Sequence, residues 1–456
     1  MLPMTTRRST SQRLLFAVLA AVALACGKKE KTGIALVGAT VIDGNGDVMP
    51  NAVVIISKGH IDTIAPAGFK IPKSAVEIDV ANRWIIPGLI DANAHIAEWA
   101  IPRYLGFGVT TIRDLHGVQD SVVALADAVN LGGIPGPRVF IAGAAIDGTP
   151  SGLPDATSVT STSEARKAVD QRSLALTYWV SVYSRVTPTL LQAIVDEATR
   201  LSMPVAAHLG LTDALTAATN GVRSIELLTG VPEAASPNAA PFYAAHARSY
   251  YEGWNYSEKG WAGLDSADLA RVARALADSK VFLVPGLVAH DTWSRLDDPA
   301  VLTDGSLSAV PDSEKSRWDV PGFTQRAGWT MADFSLFRLS RPKQDLFIRE
   351  FAAAGGRIVA GSNAPEPMLI PGESLHRELE LLVAAGLTPK DALATATRYA
   401  AQLLAADSLG RLAPGKVADL LILTQDPLAD IHNTRSIERV MVRGQLMPVD
   451  SLRSAW

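Results

Sequence analysis

Seven short apolar runs recur between residues 85 and 404, separated by stretches of helical character. They are VTTIRDL (109–115), RVFIAG (138–143), YWVSVYS (178–184), PVAAHL (204–209), RSIELL (223–228), VFLVPGL (281–287) and RIVAGS (357–362). Amphipathic periodicity fills gaps between them, as in TLLQAIVDEATRL (189–201) and over 266–279. Strands alternating with helices form a parallel sheet, because parallel neighbours need a long crossover. About eight such units in roughly 320 residues favour closure into a ring. The expected fold class is α/β, with a (β/α)8 TIM-like barrel over 85–404. A doubly wound open sheet is the alternative, but no Gly-rich phosphate fingerprint follows an early strand. In such a barrel the functional side chains stand at the C-terminal ends of strands.

Both flanks have a different texture. Residues 33–84 carry IALVGATVIDG, NAVVIISKGHIDTIAP and VEIDVANRWIIP between Gly, Pro and Asn turns, with GNGD (44–47) as a hairpin signal. VADLLIL (417–423) and IERVMV (437–442) repeat the pattern. They predict a small β-sandwich domain formed by both chain ends, from residues 33–84 together with residues 405–449. Residues 450–456 read as a tail. Long loops at 231–335 interrupt the barrel and hold Trp254, Trp261, Trp293, Trp318 and Trp329. Their aromatic content argues against disorder. They are expected either as ordered flaps at the barrel mouth or as a peripheral subdomain packing its own aromatics.

The first segment lies outside the fold. Arg7, Arg8 and Arg13 precede the apolar run LLFAVLAAVALA (14–25), which is too short to span a bilayer and suits a secretory signal. The run stops at Cys26, the only cysteine. This resembles a bacterial lipoprotein signal, with residues 1–26 as signal and anchor Cys and 27–32 as linker. The resemblance implies export, lipid attachment at Cys26 and a place in the cell envelope, at the outer membrane or the periplasmic face. An ordinary cleaved signal with an incidental cysteine is the alternative.

A single cysteine excludes an internal disulfide framework and a Cys-rich zinc site. A net charge of −4 gives no basic excess for nucleic acid. Eight histidines remain as candidate ligands.

IPGLIDANAH (86–95) closely resembles the first-strand signature of the amidohydrolase superfamily, normally PGLID followed by a His-x-His pair. VTTIRDL, VAAHLG (205–210), SIELL (224–228), AGSN (360–363), SLHRELELLVAAGLTPKDALATAT (374–397) and LGRLAPGKVADLLIL (409–423) match later motifs, particularly of the imidazolonepropionase-like and prolidase-like branch. The resemblance implies hydrolysis of C–N bonds by one or two divalent metals. Imidazoles and a carbamylated lysine would hold them, and a bound water with a pKa near 7 would serve as nucleophile. An aspartate at the last strand would move its proton.

The chain departs from that pattern at four of six positions. Asn93 stands at the first His, Ser181 at the Lys, Leu227 at the sixth-strand His and Asn363 at the Asp, while His95 and His208 are retained. Leucine cannot ligate, serine cannot be carbamylated, and an amide is a poor zinc ligand and nearly without basicity. Two imidazoles fall short of the three protein ligands usual in catalytic zinc sites. A relocated site would draw His95, His208 and one of His116, His290, Asp114 or Glu226. His376 is a weaker candidate. If the fourth strand continues to 185, Ser181, Tyr183 and Arg185 share one face, and a phenol with a guanidinium suits a carboxylate ligand.

Three functions remain. The favoured one is a non-catalytic barrel on a lipid anchor that binds a small molecule or a protein and needs no cofactor. The second is an active hydrolase of dipeptide or other C–N bonds using zinc or another divalent metal in a reduced or relocated centre. The third is metal-free catalysis of another reaction. The ligand and the oligomeric state are not legible in the sequence.

Overall fold

The computed structural model describes residues 33–454 and 456. The signal, Cys26 and linker expected over 1–32 lie outside the described residues. No helix among the described residues is long and apolar enough to cross a membrane.

Five strands open the described chain: β1 (Gly33–Ile42), β2 (Val48–Ser57), β3 (His60–Ala65), β4 (Ala75–Asp79) and β5 (Trp84–Pro87). Then come β6 (Leu89–Ala94), β7 (Val109–Asp114), β8 (Arg138–Ile141), β9 (Ile146–Asp147), β10 (Thr157–Ser158), β11 (Val180–Val182) and β12 (Val205–Ala207). They are followed by β13 (Ser224–Glu226), β14 (Phe282–Val284) and β15 (Arg357–Ile358), and the last three are β16 (Leu420–Leu423), β17 (Ile437–Val442) and β18 (Gln445–Pro448).

The two chain ends build one hydrogen-bonded sheet of eight strands. Its order is β18-β17-β16-β5-β1-β2-β3, with β4 beside β1. The ends meet where Trp84 of β5 faces Leu423 of β16 in an antiparallel pair. Period-two alternation sends Leu36, Val54, Ile56, Ile85, Leu420 and Ile422 to one buried face, and Ala35, Val53 and Ile55 to the other. The free edge at β3 also bonds to the segment before β16, through Ile61 N to Lys416 O at 2.9 Å. The turn expected at 44–47 forms because Asp43 Oδ1 accepts from the backbone of Asn45 and Asp47.

The middle of the chain is parallel throughout. β6, β7 and β8 form one sheet, and β10-β9-β11-β12-β13-β14-β15 form another. Backbone bonds connect the two at both edges. Trp179 N donates to Ile141 O at 3.2 Å, Ala92 N to Ala360 O at 3.0 Å, and Ala94 bridges Ala364 in parallel. The strands are shorter than their apolar runs suggested, because the chain leaves the sheet early. Leu227, Leu228 and Asn363 lie in the left-handed region at φ of +53°, +54° and +57°. Each such residue costs about 1–3 kcal/mol, and such strain tends to gather where a site must be shaped.

The segment 231–335 is largely helical, not loop-rich. It contains helices Ala240–Arg248, Tyr250–Gly260, Ser266–Asp278, Leu287–Trp293 and Val320–Arg326. Caps start three of them: Ser249 accepts from Glu252 N, Asp265 from Ala267 N and Asp268 N, and Asp319 from Gly322 N. Nor is the C-terminus a loose tail. Helix Val449–Arg453 docks on helix Ile101–Gly106 through Arg453 Nε to Gly106 O at 3.0 Å, and Trp456 lies 5.2 Å from Phe107, ring to ring.

Glu378, on helix Glu373–Ala384, is fully buried. One oxygen accepts from Val288 N at 2.7 Å and the other has no partner. Burial pushes its carboxyl from 4.5 up to about 7, against the lowering effect of backbone hydrogen bonds and of Arg341. Its stabilising share is present below pH 4.5 and lost as pH rises through 7. Glu378→Gln is therefore expected to gain on the wild type between pH 5 and pH 8 by an amount on the order of 3 kcal/mol. Urea denaturation at both values checks this, and an unchanged difference between the two proteins would refute it.

Candidate functional site

The strand ends of the parallel sheets converge on one cavity of about 200 Å³. Asn93 comes from β6 and Ser181 from β11. His95, His208, Leu227 and Asn363 follow β6, β12, β13 and β15 by one to five residues. All six line the cavity, with Leu115 and His116 from the end of β7. The positions that the family likeness singles out thus lie together in space.

Beneath Asn93 is a buried charge pair. The Arg113 guanidinium donates to Glu226 Oε1 at 2.8 Å, to Ser224 Oγ at 3.0 Å and, through Nε, to Ala92 O at 2.5 Å. It also sits 4.5 Å from the centre of the Trp179 ring. Asn93 Nδ2 donates to the other Glu226 oxygen at 3.1 Å. Burial raises the Glu226 carboxyl and Arg113 opposes that rise. A carboxylate this deep holds its charge only because a guanidinium and two further donors face it.

The imidazoles of the cavity are held neutral. Burial lowers His95, against hydrogen bonds from its ring to the His116 carbonyl and the Asn363 side chain. Burial takes His208 down to about 3, helped by His246 and His290, and His116 down to about 4, helped by His95. The His208 ring stacks on Tyr183 at 4.5 Å and lies 5.8 Å from Tyr250.

Most candidates for a relocated metal site are engaged by the protein itself, although Asp114 Oδ1 is buried without a hydrogen-bond partner among the described residues. Both ring nitrogens of His290 are engaged, Nδ1 with Glu258 at 2.8 Å and Nε2 with the Leu227 carbonyl at 3.1 Å. His116 Nδ1 accepts from Ala145 N, and Asp114 Oδ2 from Ile96 N at 2.7 Å. His376 bridges Thr434 and the Phe107 carbonyl, away from the cavity. Among the described residues no group of three His, Cys, Asp or Glu side chains is placed to hold a metal ion. This donor set does not fit the metal centre that the family likeness implies.

Tyr183 lines the cavity but Arg185 does not. A shared face needs a strand through 185, and β11 ends at Val182. The chain then turns so that Arg185 N donates to Asp147 Oδ1 at 2.7 Å, and the Arg185 side chain is buried elsewhere.

The outer wall comes from the helical segment 231–335. Tyr250, Tyr251 and Trp254 share one helix, while Trp293, Phe323 and Trp329 come from later ones and their connections. Trp293 is fixed by Nε1 donating to Pro367 O at 3.0 Å. Of the five tryptophans singled out in this segment, Trp254, Trp293 and Trp329 face the cavity. Trp261 packs on Phe347, and Trp318 joins a separate apolar cluster. Glu366, in the loop after β15, also lines the cavity, and burial pushes its carboxyl from 4.5 to about 7. Sequence reasoning passed over it; the one available signal was an acidic residue three places past the last-strand motif.

The Amidohydrolase family model matches residues 84–447. Among curated proteins none matches significantly. Solved structures with a similar fold include a prolidase-like protein from Bifidobacterium longum, 24% identical over 93% of this chain and 99% of that one, with a TM-score of 0.68. Bottromycin amidohydrolase is 22% identical over 94% and 90%, with a TM-score of 0.72. The A. niger ochratoxinase is 18% identical over 92% and 96%, with a TM-score of 0.65. Identities this low speak for the fold, whereas the family match spans most of the sequence. The chain belongs to the amidohydrolase family.

Proposed function

We propose that this chain is a non-catalytic, ligand-binding amidohydrolase-family protein. Its parallel strands β6, β7, β8 and β11 to β15 are read as one closed eight-stranded barrel, and the bonds at both sheet edges support that closure. The observation that carries the functional reading is the donor set. Six family positions meet in one cavity, yet only His95 and His208 among them bear a metal-ligating group, and among the described residues no three His, Cys, Asp or Glu side chains are placed to hold a metal ion.

The remaining floor groups suit binding. Asn93 and Asn363 are amides, able to donate and accept but unable to carry a proton through a reaction. Ser181 adds a hydroxyl. The aromatic wall excludes water and supplies apolar contact, the usual combination in a small-molecule pocket.

The expected result is substoichiometric zinc in the purified chain after equilibration with micromolar metal, unchanged in His95→Ala/His208→Ala. Elemental analysis by mass spectrometry measures this directly. Stoichiometric zinc that disappears in the double variant would overturn the proposal.

A further inference from the structure

The cavity has two carboxylates and, among its described lining residues, no lysine or arginine. Glu226 is already paired with Arg113. Glu366 has no such partner among the described residues, and burial is what raises its carboxyl. A lone carboxylate in a part-buried, largely apolar cavity is unfavourable unless something cationic faces it.

The surroundings of Glu366 are rings. Tyr183 and Tyr250 lie 5.3 Å apart, Tyr250 and Tyr251 5.4 Å, and Tyr251 and Phe323 6.1 Å. The wall continues from Phe323 to Trp293 at 6.0 Å and from Trp293 to Trp254 at 5.4 Å. Burial raises the Tyr183 and Tyr250 phenols, and the charge of Glu366 adds to the rise of both. The negative faces of such rings attract a cation, and alkylated ammonium groups suit them best because they are weakly hydrated. With burial lowering His95, His116 and His208 and Arg185 outside, the described lining offers an anion no fixed positive charge.

We propose that the cavity binds a small organic cation, an alkylated ammonium bearing a short apolar group, with its charge against Glu366 and the tyrosine and tryptophan faces. This rests on the ligand-binding reading above and names the class of ligand. A space of about 200 Å³ takes a molecule of that size and is small for a drug-sized ligand.

The test is calorimetric titration of the purified chain with choline, with its uncharged isostere 3,3-dimethylbutan-1-ol, and with phenylacetate. Choline is expected to bind at least about tenfold more tightly than the alcohol. Glu366→Gln is expected to remove most of that margin without lowering the melting temperature, since it relieves a carboxyl that burial raises to about 7. Burial raises Glu366 to about 7, inside the range tested, whereas it raises the Tyr183 and Tyr250 phenols and lowers the His95, His116 and His208 imidazoles. Choline affinity should therefore rise from pH 6 to pH 8 in the wild type and stay flat in Glu366→Gln. As a second variant, Trp254→Leu should weaken choline more than the alcohol. Equal affinity for choline and the alcohol, or no effect of Glu366→Gln, would overturn the inference. Tighter binding of phenylacetate would overturn it too, but would leave the ligand-binding reading in place. Metal-dependent dipeptide turnover would instead overturn that reading and leave a measured cation preference standing.

Discussion

Arg113→Met is expected to destabilise the fold by about 3–5 kcal/mol, the usual cost of stranding one partner of a buried ion pair. Arg113 is fully buried and its guanidinium satisfies Glu226, Ser224 and a backbone carbonyl at once. Removing it leaves Glu226 ionised without a partner or forces it to take up a proton. The Trp179 face loses its stacked cation as well. Adding Glu226→Gln should recover a large part of the loss, since the stranded charge is then gone and only packing is missing. Urea midpoints of the single and double variants decide the matter. If the double variant is no more stable than Arg113→Met, the loss comes from packing against Trp179 and not from charge.

The second large effect is a gain. Restoring the family residues by Asn93→His, Ser181→Lys, Leu227→His and Asn363→Asp is expected to bring metal uptake from substoichiometric to at least one equivalent, with dipeptide hydrolysis above the wild-type background. The positions already line one cavity beside His95 and His208. Glu226 stands 3.1 Å from the Asn93 amide, so an imidazole at 93 would find an acceptor for its second nitrogen, as metal-bound histidines normally do. The tightest replacement is at Leu227, which packs closely over Gly286. A folded variant that takes up no metal would show that the cavity has changed in more than its ligands.

Much of the fold was legible because its signals are local. Alternating apolar runs gave the parallel strands, and the two flanks of period-two texture gave the sheet built from both ends. The strand ends were less legible. An apolar run such as RSIELL does not show where hydrogen bonding stops, and Leu227 turns to positive φ while remaining buried. That is also why Arg185 was expected in the cavity: the period of two holds only while the strand lasts. Apart from 266–279, the helices of 231–335 escaped notice because stretches such as YYEGWNYSEKG carry their aromatics without a clean helical stripe, and Tyr250 and Tyr251 are adjacent yet both reach the cavity. Glu366 is set by loop geometry, which no periodicity encodes.

The pairing of β5 with β16 bears on how the molecule assembles. Trp84 and Leu423 are neighbours in the sheet but more than 300 residues apart along the chain. Until β16 and β17 leave the ribosome, β5 keeps an open edge and the apolar side chains of β1 and β2 lack the cover of Leu420, Ile422 and Met441. The final step of folding is therefore long-range and slow relative to local helix formation. It waits on the synthesis of β16, and an unpaired β5 edge is the place where a partly folded chain is most prone to join another copy of itself.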